Sequence, residues 1–176
     1  MRKLKNEELG RLSPEDLKKV EKYPLVVVLD NIRSMYNVGS VFRTCDGFRV
    51  EKLVLSGITA QPPNREINKS ALGAQETVRW EYFEDPTDAV EDLKREGYKV
   101  YAVEQAEKSS YLNELSIDDR KKFAFVFGNE VFGVSEDVMK KVDGCIEIPQ
   151  FGVKHSFNIS VSVGIVLWEF FRNINK

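Results

Sequence analysis

The segment Leu25-Val-Val-Val-Leu29, an uninterrupted run of apolar residues, constrains the fold of this chain more than any other part of the sequence. Its three valines are β-branched and favour extended backbone. A strand that is apolar at every position is buried on both faces, which is typical of the inner strands of a parallel sheet. The run therefore predicts an α/β fold in which helices cover both faces of the sheet.

The remaining chain alternates between strand and helix patterns. Further strands are predicted at 52–55, 77–83, 99–104, 123–127 and 145–148. Helices are predicted at 13–22, 37–46, 85–96 and 135–141 and from Asn158 onward, with a long polar loop over 56–70. This alternation predicts a mainly parallel sheet flanked by helices, and such sheets bind ligands at the carboxyl ends of their strands.

Charge and composition limit the partners of the chain. A length of 176 residues with 42% hydrophobic residues is enough for one packed domain. The formal net charge of −2 argues against binding nucleic acid over the whole surface. RNA binding would therefore need local basic patches or a second subunit. No apolar stretch is long enough to span a membrane, and no apolar run follows the basic N-terminus, so we expect a cytoplasmic protein.

A metal site is not expected. The chain has one histidine, His155, and its two cysteines, Cys45 and Cys145, lie far apart. Protein zinc sites use three or four Cys, His or carboxylate ligands, usually at short spacings, and nothing here has such spacing. Both cysteines are expected to be small apolar residues without a disulfide.

Three segments combine polar side chains with glycines, and each follows a predicted strand. They are Asn37-Val-Gly-Ser-Val-Phe-Arg43, Phe127-Gly-Asn-Glu-Val-Phe-Gly133 and 148–158. Taken singly, each has a structural explanation as a helix cap, a first-turn charge or a surface arginine. The glycines do not form the G-x-G-x-x-G loop of a dinucleotide site. Their spacing predicts a site at one edge of the sheet without naming a reaction.

Taken together and in this order, the segments resemble the three motifs of the SpoU family within the SPOUT class of RNA methyltransferases. The N-x-G-x-x-x-R pattern of the first motif is met by Asn37, Gly39 and Arg43. The second motif is met by Gly128, Glu130, Gly133, Val134 and Ser135. The third is met by Ile148, Pro149, Gly152, Ser156, Asn158, Ile159 and Ser160, with Phe157 where leucine is usual. The resemblance covers roughly residues 25–172.

The resemblance implies a fold, a cofactor and a reaction. The fold would end in a C-terminal trefoil knot that binds S-adenosylmethionine, and the reaction would transfer its methyl group to a ribose 2′-hydroxyl of tRNA or rRNA. We favour tRNA, because small relatives without a large additional domain often act on it. The cofactor-binding positions that the resemblance implies are Val103, Gly128, Ile148, Ser156 and Phe157.

The resemblance also implies catalytic residues: Arg43, Asn37, Glu130, Ser156 and Asn158. Arginine is always protonated in proteins. We therefore expect Arg43 to stabilise the developing alkoxide, or to orient an RNA phosphate that takes the proton. Asn37 and Glu130 would position Arg43, while Ser156 and Asn158 would order the site.

RNA and a second copy of the chain are the implied partners. Candidate RNA-binding cations near the motifs are Arg33, Arg43, Arg65, Lys69 and Lys154. Residues 1–22 are expected to form a basic helical extension before a SPOUT domain over residues 23–176. Family members are dimers, and the tail helix is apolar around most of its circumference, more than one core face requires. A fully buried helix in a monomer is the alternative.

Three other functions stay open at this point. The chain could be an RNA-binding module of the same fold without activity, although its five polar motif residues argue against this. It could methylate a base nitrogen, although the same set resembles the ribose-specific branch. It could be a nucleotide-dependent oxidoreductase, although the phosphate-binding loop is missing.

Overall fold

A computed structural model describes residues 1–115, 117 and 121–174. The strands are β1 (Tyr23–Asp30), β2 (Val50–Ser56), β3 (Trp80–Phe83), β4 (Tyr98–Val103), β5 (Ser110–Tyr111), β6 (Lys122–Phe127) and β7 (Gly144–Glu147). The α-helices are α1 (Pro14–Lys19), α2 (Met35–Gly47), α3 (Arg65–Ala71), α4 (Ala74–Thr77), α5 (Pro86–Arg95), α6 (Glu136–Met139) and α7 (Ile159–Ile174). Short 3₁₀ turns lie at Asn6–Leu9 and Leu112–Glu114.

The strands form one sheet in the order β3-β2-β1-β6-β4-β7-β5, and every pairing is parallel. The predicted parallel α/β fold is therefore confirmed. β1 lies inside the sheet, where Val26 pairs with Lys52 of β2 and with Ala124 of β6. Residues 25–29 are at most 1% exposed, as the apolar run predicted. The knot that the resemblance implied stays a prediction.

Helices cover the two faces of β1 separately. Leu25, Val27 and Leu29 belong to a core that includes residues of α2 and α7. Val26 and Val28 belong to a second core that includes residues of α5 and α6. Alternate residues of a strand point to opposite faces, so one apolar run supplies both cores. This arrangement fixes α2 and α7 on the same side of the sheet.

Around residues 56–83 one predicted element is wrong and another begins later than predicted. The expected polar loop contains α3, because the Asn64 side chain accepts hydrogen bonds from the amides of Glu66 and Ile67 and caps the helix. Ile67 is fully buried and attaches α3 to the core. The expected strand over 77–83 begins only at Trp80, because α4 occupies residues 74–77.

Two further boundaries differ from the prediction. Helix α2 is capped by Ser34, whose side chain accepts from the amide of Asn37, so Asn37 lies in the first turn of the helix and is not its cap. Helix α1 ends at Lys19 because Val20 adopts extended backbone angles. The division of the chain into an extension over residues 1–22 and a domain after it stays a prediction. None of the helices in the described ranges is long and apolar enough to cross a membrane.

Candidate active site

The three glycine-containing segments meet at one edge of the sheet. They follow β1, β6 and β7, and the carboxyl ends of parallel strands share an edge. A cavity of about 670 Å³ opens there between the ends of β4, β6 and β7 and the start of α7. It is lined by all of the predicted cofactor positions, Val103, Gly128, Ile148, Ser156 and Phe157.

One hydrogen-bonded chain joins a residue from each segment. The Asn158 side-chain amide donates to Oδ1 of Asn37 over 3.2 Å, and Nδ2 of Asn37 donates to Oε1 of Glu130 over 3.1 Å. Asn37 is only 8% exposed. Because buried polar groups need partners, Asn37 holds its place by bonding both neighbours. We refer to these three residues as the Asn158–Asn37–Glu130 chain.

Glu130 also anchors the start of α2. Its carboxylate accepts hydrogen bonds from the backbone amides of Arg33, over 3.0 Å, and Ser34, over 3.1 Å. Partial burial acts to raise the pKa of Glu130, but the hydrogen bonds from these amides and from Asn37 outweigh it and hold that pKa below its ordinary value. Glu130 is therefore an ionised acceptor at neutral pH, occupied by donors of the protein itself.

The loop of residues 129–133 is closed by its own backbone. The amides of Asn129 and Gly133 each donate to the carbonyl of the other over 2.9 Å. Oδ1 of Asn129 accepts from the amides of Val131 and Phe132, while Nδ2 donates to the carbonyl of Asn31 over 2.6 Å. The loop is thus fixed at both ends and attached to the segment after β1. We refer to residues 129–133 as the closed loop.

Gly128 allows this loop to close over the cavity. A Cβ on Gly128 would lie 2.0 Å from the backbone carbon of Gly133 and 2.0 Å from the amide nitrogen of Val134. Backbone atoms cannot yield to such a contact. The first glycine of the second motif is therefore a steric requirement of this site.

Sequence reasoning missed Glu104 and Gln105, which follow β4 and line the cavity. Oε2 of Glu104 accepts from the amide of Val134 over 3.2 Å. Nε2 of Gln105 donates to the carbonyl of His155 over 2.7 Å and so ties the third segment to β4. Their position directly after a buried strand was the available signal. Asn129 was also missed, although it stands inside the second motif.

Asn158 and Ser156 have different surroundings. Oδ1 of Asn158 accepts from the amide of Ser160 over 2.9 Å and from its hydroxyl over 2.7 Å, so Asn158 caps α7 while it bonds Asn37. Ser156 lines the cavity and is exposed. Its hydroxyl is therefore open to a ligand, whereas the polar atoms of Asn158 serve the protein.

The structure does not bring Arg43 to the other predicted catalytic residues. Arg43 is exposed on α2 and is not among the residues that line the cavity. Asn37 and Glu130 bond each other, Asn158 and backbone amides, so within one chain they do not position Arg43 as expected. The reason is helical geometry: six positions along α2 rotate Arg43 by about 120° from Asn37.

The predicted RNA-binding cations are all exposed. Lys69 is paired with Glu66 over 2.7 Å. Among ion pairs between described residues, none engages the other four, Arg33, Arg43, Arg65 and Lys154. In the part of the chain that the structure describes, no group of histidine, cysteine or acidic side chains could hold a metal ion.

Comparison with known proteins agrees with this geometry. The model of the SpoU rRNA methylase family matches residues 24–168. A tRNA (guanosine(18)-2′-O)-methyltransferase of Thermus thermophilus is 31% identical over 162 residues, which cover 92% of this chain and 81% of that protein. The crystal structure of the Aquifex aeolicus TrmH/SpoU tRNA modifying enzyme matches with a TM-score of 0.80 and 28% identity, over 92% of this chain and 82% of that one. An AdoMet-bound rRNA methyltransferase from Sinorhizobium meliloti shares the fold, with a TM-score of 0.80 and 24% identity over 93% of this chain and 62% of that one.

Proposed function

Because the chain belongs to the SpoU methylase family, we propose that it is an RNA methyltransferase that uses S-adenosylmethionine to methylate a ribose 2′-hydroxyl. The observation that carries this proposal is the Asn158–Asn37–Glu130 chain, which unites all three motifs beside one cavity. The Thermus relative is named for the same reaction on tRNA.

The cavity fits the methyl donor in size and lining. Its volume of about 670 Å³ lies within the range of small-molecule sites, roughly 300–1,000 Å³. Val103, Ile148 and Phe157 supply apolar surface for an adenine ring, and the hydroxyl of Ser156 supplies a polar contact. Because Gly128 has no side chain, the closed loop can pack directly on its backbone and form a wall of the cavity. When bound, S-adenosylmethionine supplies an electrophilic methyl group on a sulfonium.

The acceptor hydroxyl must lose its proton as it attacks. Glu130 is unsuited to take this proton, because three donors of the protein already occupy its carboxylate. Arg43 is permanently charged and can stabilise the alkoxide or hold the RNA phosphate that accepts the proton. We assign Arg43 to this role and Ser156 to ordering the bound ligands. Asn37, Glu130 and Asn158 hold the three motifs together beside the cavity.

A homodimer would explain the placement of Arg43 and the surface of α7. Within one chain Arg43 does not line the cavity, and α7 exposes Val161 by 49% and Trp168 by 57%. These residues lie seven positions apart, on one face of the helix. We propose that this face packs against a second copy, which places each active site next to the partner chain. A monomeric mass in solution would exclude this arrangement.

We favour tRNA as the substrate, with rRNA as the alternative. Arg33, Arg65, Lys69 and Lys154 would contact phosphates, and the basic segment over residues 1–22 would add to them. Lys69 is the weakest of these candidates, because binding a phosphate must compete with Glu66. The predicted cytoplasmic location agrees with either RNA and stays a prediction.

Label transfer tests the proposal directly. The purified protein is titrated with S-adenosylmethionine and then incubated with the labelled cofactor and either total tRNA or rRNA. We expect saturable cofactor binding and label on a ribose 2′-oxygen of the tRNA pool. Label on rRNA alone would mean that the substrate is rRNA and not tRNA. Label on a base would exclude methylation of the ribose. Cofactor binding without transfer to either pool would favour the inactive RNA-binding module, and no cofactor binding would refute the proposal.

A further inference from the structure

The closed loop carries two apolar side chains into solvent beside the cavity. Phe132 is 84% exposed and Val131 is 64% exposed, and both belong to the cavity rim. Phe151 and Val153 of the third segment are exposed still more, at 98% and 92%, but neither lines the cavity. Among the residues that line the cavity, Phe132 and Val131 are the apolar side chains with the largest exposed fractions. Two adjacent exposed apolar side chains at the mouth of a site are suited to contact with another molecule.

The backbone under Phe132 is fixed. The Phe132 amide donates to Oδ1 of Asn129 over 3.2 Å, and the two bonds between Asn129 and Gly133 close the loop on either side. Glu130 is held in turn by the amides before α2. The direction in which the phenylalanine leaves the backbone is thus set before any ligand binds. A preorganised aromatic ring loses little conformational entropy on binding.

A cation adjoins the same loop. The amide of Arg33 donates to Glu130, so the exposed Arg33 side chain begins directly beside the closed loop. Aromatic rings and arginine groups together are how proteins hold unpaired RNA, because bases stack on the ring while phosphates bind the cation. Among the described residues no acidic side chain pairs with Arg33, so its charge is free to bind a phosphate.

We propose that Phe132 is the platform on which a nucleobase of the substrate RNA stacks, next to the ribose that enters the cavity. This inference rests on the proposed function and names how that site recognises its substrate. Because every base has a flat face, stacking selects an unpaired nucleotide and not a particular base. The substrate would therefore be a single-stranded loop or a nucleotide turned out of its helix.

Variants at the tip of the loop test this. Phe132→Ala should raise the RNA dissociation constant of the cofactor-bound protein by about tenfold, within the range expected for one lost stacking contact. Phe132→Trp should keep wild-type affinity, whereas Phe132→Leu, apolar but without a ring, should resemble alanine. Tyr111→Ala, which removes an exposed aromatic ring of β5 that does not line the cavity, is the matched control and should change RNA affinity by less than about twofold. The affinity for S-adenosylmethionine should stay constant throughout.

Several results would overturn the proposal. If Phe132→Leu binds RNA as well as wild type, apolar contact and not stacking is what the RNA uses. If Phe132→Ala lowers the mass in solution, the ring belongs to an interface between two copies. If Phe132→Ala lowers only the affinity for S-adenosylmethionine, the ring forms part of the cofactor cavity. RNA binding is measured separately from methyl transfer. If the wild-type protein binds RNA without methylating it, the proposed reaction is refuted, but the effect of the Phe132 variants on RNA affinity still tests the stacking.

Discussion

Replacing Glu130 with glutamine tests whether its charge holds the motifs together. The carboxylate accepts from Arg33, Ser34 and Asn37, so one of its two oxygens must become an NH₂ group that faces a donor. A hydrogen bond to a charged group contributes about 1.5–3 kcal/mol. Glu130 is exposed, so water can replace part of the lost hydrogen bonding. We therefore expect Glu130→Gln to lower the free energy of unfolding by about 1–2 kcal/mol.

The loss of stability in Glu130→Gln should be measurable by calorimetry and should depend on pH. About 1–2 kcal/mol corresponds to roughly 2–8 °C in Tm for a chain of this size. The folded state holds the pKa of Glu130 below its ordinary value of 4.5. A carboxylate whose pKa is lowered by folding stabilises the protein at any pH above its pKa in the unfolded state. That stabilisation is lost as the pH falls through its pKa in the folded state. The difference in the free energy of unfolding between wild type and variant should therefore be constant above about pH 5.5 and should become smaller below about pH 4.5.

A matched control separates this effect from a general loss of charge. Glu136→Gln neutralises an exposed glutamate at the start of α6 and should change stability by less than about 0.5 kcal/mol. If Glu130→Gln is no less stable than Glu136→Gln, the carboxylate does not anchor the site. A gap that stays the same from pH 7 to pH 3.5 would show that the ionised form makes no difference.

Three other predictions concern the chemistry, the loop and the extension. Arg43→Ala should reduce methyl transfer at least 100-fold while the calorimetric affinity for S-adenosylmethionine stays within about twofold; loss of both together would contradict the assigned role. Gly128→Ala should give a less stable protein that no longer binds the cofactor, because its Cβ would meet the backbone of Gly133 at 2.0 Å, and wild-type binding would refute the steric argument. Replacing Lys3 and Lys5 with glutamine should weaken RNA binding. The slope of log affinity against log salt concentration should fall by the equivalent of up to about two phosphate contacts. An unchanged slope would exclude these lysines from phosphate binding.

The two strands that the sequence predicts most directly are those whose residues are buried on both faces. The run over residues 25–29 and the run over residues 123–127 are continuous because no position in them meets water. β5 was not predicted, because a strand of two exposed residues leaves no periodic pattern. α3 was not predicted, because its few buried residues are scattered in a polar segment and its position is decided by packing against α2.

The candidate site was predicted in part. The motif resemblance placed five cofactor positions that the structure brings to one cavity, although their role is still a proposal. It did not place Arg43 on a different side of the helix from Asn37, although six positions on the predicted helix over 37–46 already imply a rotation of about 120°. Glu104 and Gln105 were missed for a different reason. Their partners, Val134 and His155, are about 30 and 50 positions away in sequence.

The direction of the hydrogen bonds at Asn37 shows how the three motifs act as one unit. An ionised Glu130 can only accept, so the NH₂ group of Asn37 must face it. The oxygen of Asn37 then faces Asn158, whose own NH₂ group must donate, and this leaves the oxygen of Asn158 to cap α7. One negative charge in the second motif thereby orients side chains in the first and third. The side chains of these three residues are thereby engaged within the protein, whereas Arg43 and Ser156 are exposed, and we propose these two as the catalytic candidates that contact RNA and cofactor.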